Sequence, residues 1–291
     1  MSNWNGVKIL LFLILTASNP TYARIHNFET THLKSQAGTG VAAVLLEESA
    51  FLNPASSSFY TNSSVYAQKD TSEESDSQNT SYPKRKSLGF VLAQGDQSLS
   101  GTLSYINQED DIYKRKQWGM TFAAPLSTIS SFGYSIRKIN DLNTSTNLSK
   151  DYYKSVFGVS HVLSESTSLG IVVDDPFKSY AHDTRVYIGA QQNLLSYISG
   201  NIDIGANYTA DDMAKNLLIR GSVQIRILDD FYLRAGGFND KEYKEKGDGY
   251  GLSWIQPRLA LEFAIKNTTS TISSKEVKNK ETSFSLSYRG I

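Results

Sequence analysis

Alternate residues of this chain are apolar, segment after segment. No apolar run after Ala23 is long enough to cross a membrane as a helix, which needs about 20 residues. Instead, stretches of about ten residues switch between apolar and polar side chains at every step. Lys215 to Leu228, KNLLIRGSVQIRIL, places Leu217, Ile219, Val223, Ile225 and Ile227 on one face and Arg220, Ser222, Gln224 and Arg226 on the other. Arg258 to Lys266 repeats the pattern: Leu259, Leu261, Phe263 and Ile265 against Arg258, Ala260, Glu262, Ala264 and Lys266. Trp118, Met120 and Phe122 oppose Gln117, Gly119 and Thr121 in the same way. A period of two is a β-strand with two unlike faces. A soluble sandwich alternates as well, with its apolar side inward. Strands of this length, repeated this often and carrying aromatics near their ends, fit a barrel whose apolar side faces lipid.

The connections point the same way. Fourteen such segments can be marked out between residues 58 and 291, with twelve as the lower count. The gaps between them alternate. Asp70–Lys86, Asp141–Lys150 and Asn239–Asp248 are long and polar, whereas Asp96-Gln97, Leu126-Ser127 and Asp229-Asp230 are tight turns. Membrane barrels have short turns at one rim and longer loops at the other. The expected fold is therefore all-β, a transmembrane antiparallel β-barrel of about fourteen strands. An even strand number leaves both chain ends at the short-turn rim.

Residues 1–23 read as an export signal. One lysine, Lys8, precedes the apolar run Ile9–Ala17, and a polar stretch ends at Ala23. Residues 24–57 then precede the first strand. They contain GTGVAAVLLEESAFLNPASSSF, which predicts a short helix over Val41–Ala50, stopped at Asn53-Pro54 because proline moves its predecessor out of the α region. A segment placed before strand one can bury Val44, Leu45, Phe51 and Leu52 only against the inner wall of the barrel. It is expected to plug the lumen, or else to cap the barrel mouth.

The stretch Gly38-Thr39-Gly40, the apolar residues after it, Glu47-Glu48, Ser49-Ala50 and Asn53-Pro54-Ala55 resemble the N-terminal signature of the FadL-type outer-membrane proteins. That family transports long-chain fatty acids and aromatic hydrocarbons, and a related branch serves as secretion shuttles. The resemblance implies a fourteen-stranded barrel with an N-terminal hatch in the outer membrane of a Gram-negative bacterium. It also implies passive passage of a hydrophobic molecule into the lumen and sideways out through a gap between strands. Gly101 stands where the family has the strand kink that opens this gap; a glycine that merely relieves crowding is the alternative. Two departures weaken the transport implication. Ser56 replaces the glycine usual after Asn-Pro-Ala, and the chain is shorter than typical members, at the expense of the outer loops.

Parity points a basic excess into the lumen, including Arg220, Arg226 and Arg258 with Glu262. These residues either contact an anionic ligand through charge-assisted hydrogen bonds or fill the lumen with ion pairs. The net charge of zero gives no reason to expect a nucleic-acid partner, and there is no cysteine. Four histidines, His26, His32, His161 and His182, show no metal-ligand spacing, and no G-x-S-x-G elbow is present. No catalytic residue, metal or cofactor is expected. The expected partners are outer-membrane lipids and a hydrophobic small molecule, with the protein a monomer. Three functions are compatible with this reading, in this order: a transporter of hydrophobic compounds, a non-transporting barrel that binds protein partners, and an outer-membrane enzyme.

Overall fold

The computed structural model describes residues 27–76, 84–96, 98–179, 184–272 and 275–290. The export signal at residues 1–23, His26 and His182 lie outside the described residues. Fourteen strands close into one antiparallel barrel. They are β1 (Ser63–Asp76), β2 (Arg85–Gln94), β3 (Ser100–Glu109), β4 (Tyr113–Pro125), β5 (Ser130–Asn143), β6 (Leu148–Ser164) and β7 (Thr167–Asp174). Then come β8 (Arg185–Leu195), β9 (Ile198–Ala206), β10 (Leu217–Leu228), β11 (Phe231–Asp240), β12 (Glu245–Ile255), β13 (Leu259–Ile272) and β14 (Lys275–Arg289). Each strand pairs with its chain neighbours, and β14 closes on β1 from Ser64↔Arg289 to Asp76↔Val277. Closure leaves no unpaired edge.

The outer wall is apolar and the inner wall polar. One rung runs outward-facing through Ile219, Ile204, Ile188 and Ile171 on β10, β9, β8 and β7, all exposed. Trp118, Met120 and Phe122 on β4 are likewise exposed, while Gln117 and Thr121 beside them are buried. An exposed apolar surface of this extent around a charged interior belongs in a bilayer. Among the described residues no helix is long and apolar enough to cross a membrane.

The strands run further than the alternation suggests. Much of Asp70–Lys86, Asp141–Lys150 and Asn239–Asp248, expected as long polar loops, is strand: β1 continues to Asp76, β5 to Asn143 and β11 to Asp240, and their partners begin at Arg85, Leu148 and Glu245. Above the apolar belt both faces of a strand meet water. The outward residues there are polar, and the period of two fades while the backbone ladder continues. At the opposite rim the turns are short, and the three register shifts, at Val162/Ser164, Asn193/Leu195 and Arg226/Leu228, all fall there.

The orientation of the wall gives a direct check. Ile204→Arg puts a cation on the lipid face within the isoleucine rung and should cost about 2–4 kcal/mol of folding stability in bilayers. Leu148→Arg, beyond the belt at the start of β6, should cost roughly 0–1 kcal/mol by the same titration. Equal costs would mean that the belt is misplaced.

Candidate functional site

Residues 27–62 enter the barrel and fill its middle. The only α-helix in this segment, α1 (Thr31–Ser35), lies earlier than expected. The predicted helix over Val41–Ala50 is absent; Glu47–Ala50 forms a 3-10 turn, and a second 3-10 turn runs over Pro54–Phe59. Proline therefore opens a turn here, with Asn53 extended before it and the Asn53 side chain accepting from the Ala55 N–H. Thr30 caps α1 by accepting from Leu33 N–H. At its end, Gly38 N–H donates to Leu33 C=O and Ala37 N–H to Lys34 C=O, and Ala37 takes φ 54°. This is a Schellman closure, which reverses the chain into Gly38-Thr39-Gly40.

One rung of the sheet holds the chain from this reversal onward. Reading inward-facing residues across six strands from β10 to β5, the rung is Arg220, Asp203, Gly189, Gly170, Ser160 and Ser131. Arg220 donates to the Gly38 carbonyl. The Asp203 carboxylate accepts from Gly40 N–H at 2.8 Å and Val41 N–H at 3.2 Å. A Cβ on Gly170 would stand 2.2 Å from the Val41 carbonyl oxygen, and one on Gly189 would stand 2.8 Å from Val41 Cβ. Asn53 donates to Ser160 Oγ at 2.9 Å and to the Val41 carbonyl at 2.8 Å, tying the two arms of the plug together. Ser131 donates to the Ala55 carbonyl at 2.9 Å. One rung further on, Gly133 and Gly158 clear space for Pro54 and Asn53. Five residues of the signature thus have a physical role: Gly38 and Gly40 take positive φ, and Asn53, Pro54 and Ala55 meet the wall. Ser56, in place of the usual glycine, fits, donating to Leu45 C=O at 2.9 Å.

The charges are paired between plug and wall. Lys34 lies 2.9 Å from both Asp70 and Glu281, Lys266 lies 2.6 Å from Glu29, and Arg289 lies 3.3 Å from Glu47. Arg234 and Glu262 pair at 2.8 Å within the wall, with His32 3.5 Å from Glu262. Burial, followed by the charge of Arg234, lowers the His32 pKa and keeps it neutral. Burial alone would lower Lys34 too, but Asp70 and then Glu281 reverse the effect and raise it. Glu48 accepts a hydrogen bond from Thr30 at 2.9 Å; burial first, then the adjacent Glu47 carboxylate, pushes its pKa up to about 8. The lumen charges are therefore largely an ion-pair network.

The plug separates two cavities. The one toward the longer strand ends holds about 150 Å³, with Leu33, Phe51 and Leu52 of the plug facing Val156, Val172 and Leu218 of the wall. Its edge holds charges of both signs, among them the pairs Arg185–Asp240 and Lys266–Glu29. The other, toward the short turns, holds about 270 Å³ and is polar, lined by Glu47, Glu48, Arg234, Glu262 and Arg289 among others.

The sequence-derived site residues separate accordingly. Arg220 and Glu262 face the lumen and touch or flank the plug. Arg226 lines a crevice at the short-turn rim with Ser166 and Tyr232, away from the plug. Arg258 is not in the lumen: strand parity stops one residue short of it, and it sits exposed in the turn before β13. Gly101 marks no kink. The β3–β4 ladder runs unbroken through it, from Ser100↔Ala123 to Glu109↔Lys114, and the β2–β3 ladder ends on it, at Gln94↔Gly101. Asp203's grip on the Gly40 turn, Lys34 and the wall glycines were not foreseen as plug contacts. A signal existed for the glycines, since each of β5 to β8 carries one in mid-strand: Gly133, Gly158, Gly170 and Gly189. A serine–histidine contact exists, Ser130 to His161 at 2.7 Å, but His161's ladder partner on β7 is Leu169 and no acid orients it. Asp174, at the far end of β7, pairs with Lys154 at 2.9 Å. Among the described residues no group of acidic or imidazole side chains could hold a metal ion.

No protein-family profile matches the sequence, and no curated protein is detectably similar to it. Solved structures are similar in fold. The toluene transporter TbuX of Ralstonia pickettii superposes with a TM-score of 0.70 at 9% identity, over 91% of this chain and 99% of that one. The monoaromatic hydrocarbon channel CymD gives 0.67 at 11% identity, over 88% and 96%. A FadL homologue from Pseudomonas aeruginosa gives 0.61 at 11% identity, over 90% and 98%. The likeness to the FadL-type barrels is thus one of fold, over about nine tenths of the chain.

Two measurements test the seating of the plug. Gly170→Leu forces a side chain into the Val41 carbonyl and should raise ion conductance of the reconstituted barrel, whereas Gly200→Leu, whose nearest neighbour is 3.8 Å away, should leave it closed. The raised Glu48 pKa favours the seated plug. That contribution is full below about pH 4.5 and is lost as pH rises to about 8. The unseated fraction should grow with pH across this window by up to about tenfold per unit. Glu48→Gln should flatten the conductance–pH curve; a curve of unchanged steepness would remove Glu48 from the gate.

Proposed function

We propose that this barrel is a passive conduit for small hydrophobic molecules across the outer membrane of a Gram-negative bacterium. The carrying observation is the cavity of about 150 Å³ above the plug, where an apolar patch of Leu33, Phe51, Leu52, Val156, Val172 and Leu218 sits within a lining that is otherwise polar and charged. A volume of about 150 Å³ accepts a molecule the size of benzene, and the apolar patch offers it one face. The barrels of like fold include transporters of toluene and a channel for monoaromatic hydrocarbons. The edge carries both signs, Arg220, Arg185 and Lys266 with Glu29, Asp240 and Glu281, and suits a neutral ligand with at most a weakly polar end. Movement of the plug then connects this cavity to the polar one below it.

A second reading has its own support. The plug backbone is fitted against wall glycines, and each of Glu29, Lys34 and Glu47 has a charged wall partner. A plug held this closely suits a barrel that conducts nothing and serves instead as an anchor for protein partners. Uptake separates the two. Proteoliposomes bearing the protein should take up toluene faster than empty ones, and Val172→Gln with Leu218→Gln should weaken toluene binding by about tenfold or more. Uptake equal to empty liposomes, with the Gly170→Leu barrel conducting, would decide for the anchor.

A further inference from the structure

The outer wall is asymmetric in charge. On β7 to β11 no outward-facing strand residue is charged: the outward positions run through residues such as Leu169, Ile171, Ile188, Ile204, Ile219 and Leu233. The wall formed by β14 and β1 to β5 differs. Lys69, Lys86, Lys116, Lys138 and Lys280 all point outward and are exposed. None of the five has an ion pair among the described residues. Three further outward lysines there, Lys84, Lys114 and Lys278, are each within 3.9 Å of a carboxylate. In a chain of zero net charge, these eight outward lysines, set against the outward carboxylates Glu73, Glu109 and Glu276, are a local excess on one side of the barrel.

Their height on the wall is set by the ladder. Phe90, Tyr105 and Trp118 share one rung, in register with Lys138, and Tyr105 and Trp118 stack at 4.6 Å. The next outward rung toward the long-strand rim holds Lys69, Leu88, Asn107 and Lys116, and the one beyond it holds Lys86, Glu109 and Lys114. Aromatic side chains mark the membrane–water interface. The lysines therefore stand at headgroup depth, just outside the hydrocarbon. Neighbouring strands are about 4.8 Å apart, so Lys69, Lys86 and Lys116 span roughly 15 Å of wall, the width of a large headgroup and not of a single phosphate.

We infer that this face is a binding site for the phosphorylated glycolipid, lipid A, that forms the outer leaflet of a Gram-negative outer membrane. The long-strand rim is the outer rim of such barrels, so the lysines lie in that leaflet. Each phosphate carries between one and two negative charges, and the lysines are spaced to meet more than one. The inference rests on placement in the membrane and not on what crosses the lumen.

The test uses the intact barrel in detergent. Native mass spectrometry with added lipid A, with and without its phosphates, and with phosphatidylglycerol, reads occupancy directly. The barrel should bind diphosphorylated lipid A in preference to both others. Replacing Lys69, Lys86, Lys116, Lys138 and Lys280 together by Gln should weaken this by about tenfold or more. The control Lys241→Gln, Lys244→Gln and Lys246→Gln, at the rim of the other wall, should bind as the parent does. All of these lysines are exposed, so the barrel assembles without them. Undiminished binding in the five-lysine variant, equal loss in the control, or equal binding of phosphatidylglycerol would each overturn the assignment.

Discussion

The rung Arg220–Asp203–Gly189–Gly170–Ser160–Ser131 is the constraint on which the rest depends. A donor and an acceptor stand side by side on β10 and β9 and take opposite poles of one chain reversal: the Gly38 carbonyl, and the Gly40 and Val41 amides. The next two positions have no side chain, and backbone enters the space. The last two supply hydroxyls that engage Asn53 and the Ala55 carbonyl. A segment with almost no regular secondary structure is thereby satisfied in its backbone hydrogen bonding by side chains of the wall. The barrel serves the plug as a solvent with fixed dipoles.

The same arrangement explains how a plug can be both ordered and releasable. Charges taken out of water cost several kcal/mol each, and pairing them about offsets that cost. Glu29, Lys34 and Glu47 are each paired in the seated state and would each be hydrated in the unseated one. The ion pairs therefore specify where the plug sits more than they hold it there. Losing one partner is different, because it strands a buried charge at a cost of about 3–5 kcal/mol. The apolar contacts, Phe28 with Phe51 at 5.0 Å and Val41 with Val156 and Val172, supply the attraction that water disfavours undoing. Movement of the plug trades these against a ligand that covers the same surface.

Strand alternation serves the two sides of the wall at once. Each residue step moves between hydrocarbon and a packed, charged lumen, so neither side can change register without the other. This is why the isoleucine rung on the outside and the gripping rung on the inside lie one residue apart on the same strands. It also allows the outer face to vary independently in charge, apolar on β7 to β11 and basic on β14 and β1 to β5.

The number of strands, their faces and the closed architecture were legible in the sequence, because the period of two is local and the bilayer enforces it on every strand. Val41–Ala50 looked helical because its residues are largely apolar and bounded by Asn53-Pro54. In the structure Val41 takes its polar partners from Asp203 and Asn53, Val44 from Tyr60 and Leu45 from Ser56, and no local signal reports such neighbours. Arg258 had the right parity for the lumen, but the strand ends before it reaches that residue. Gly101 had the composition of a kink without the broken ladder. That Arg220 faces inward followed from Ile219 and Ile225; that it stands beside Asp203, opposite Gly38, did not. Register between strands distant in sequence is set by closure of the whole barrel, and only closure brings residues 38, 53, 160, 203 and 220 to one level.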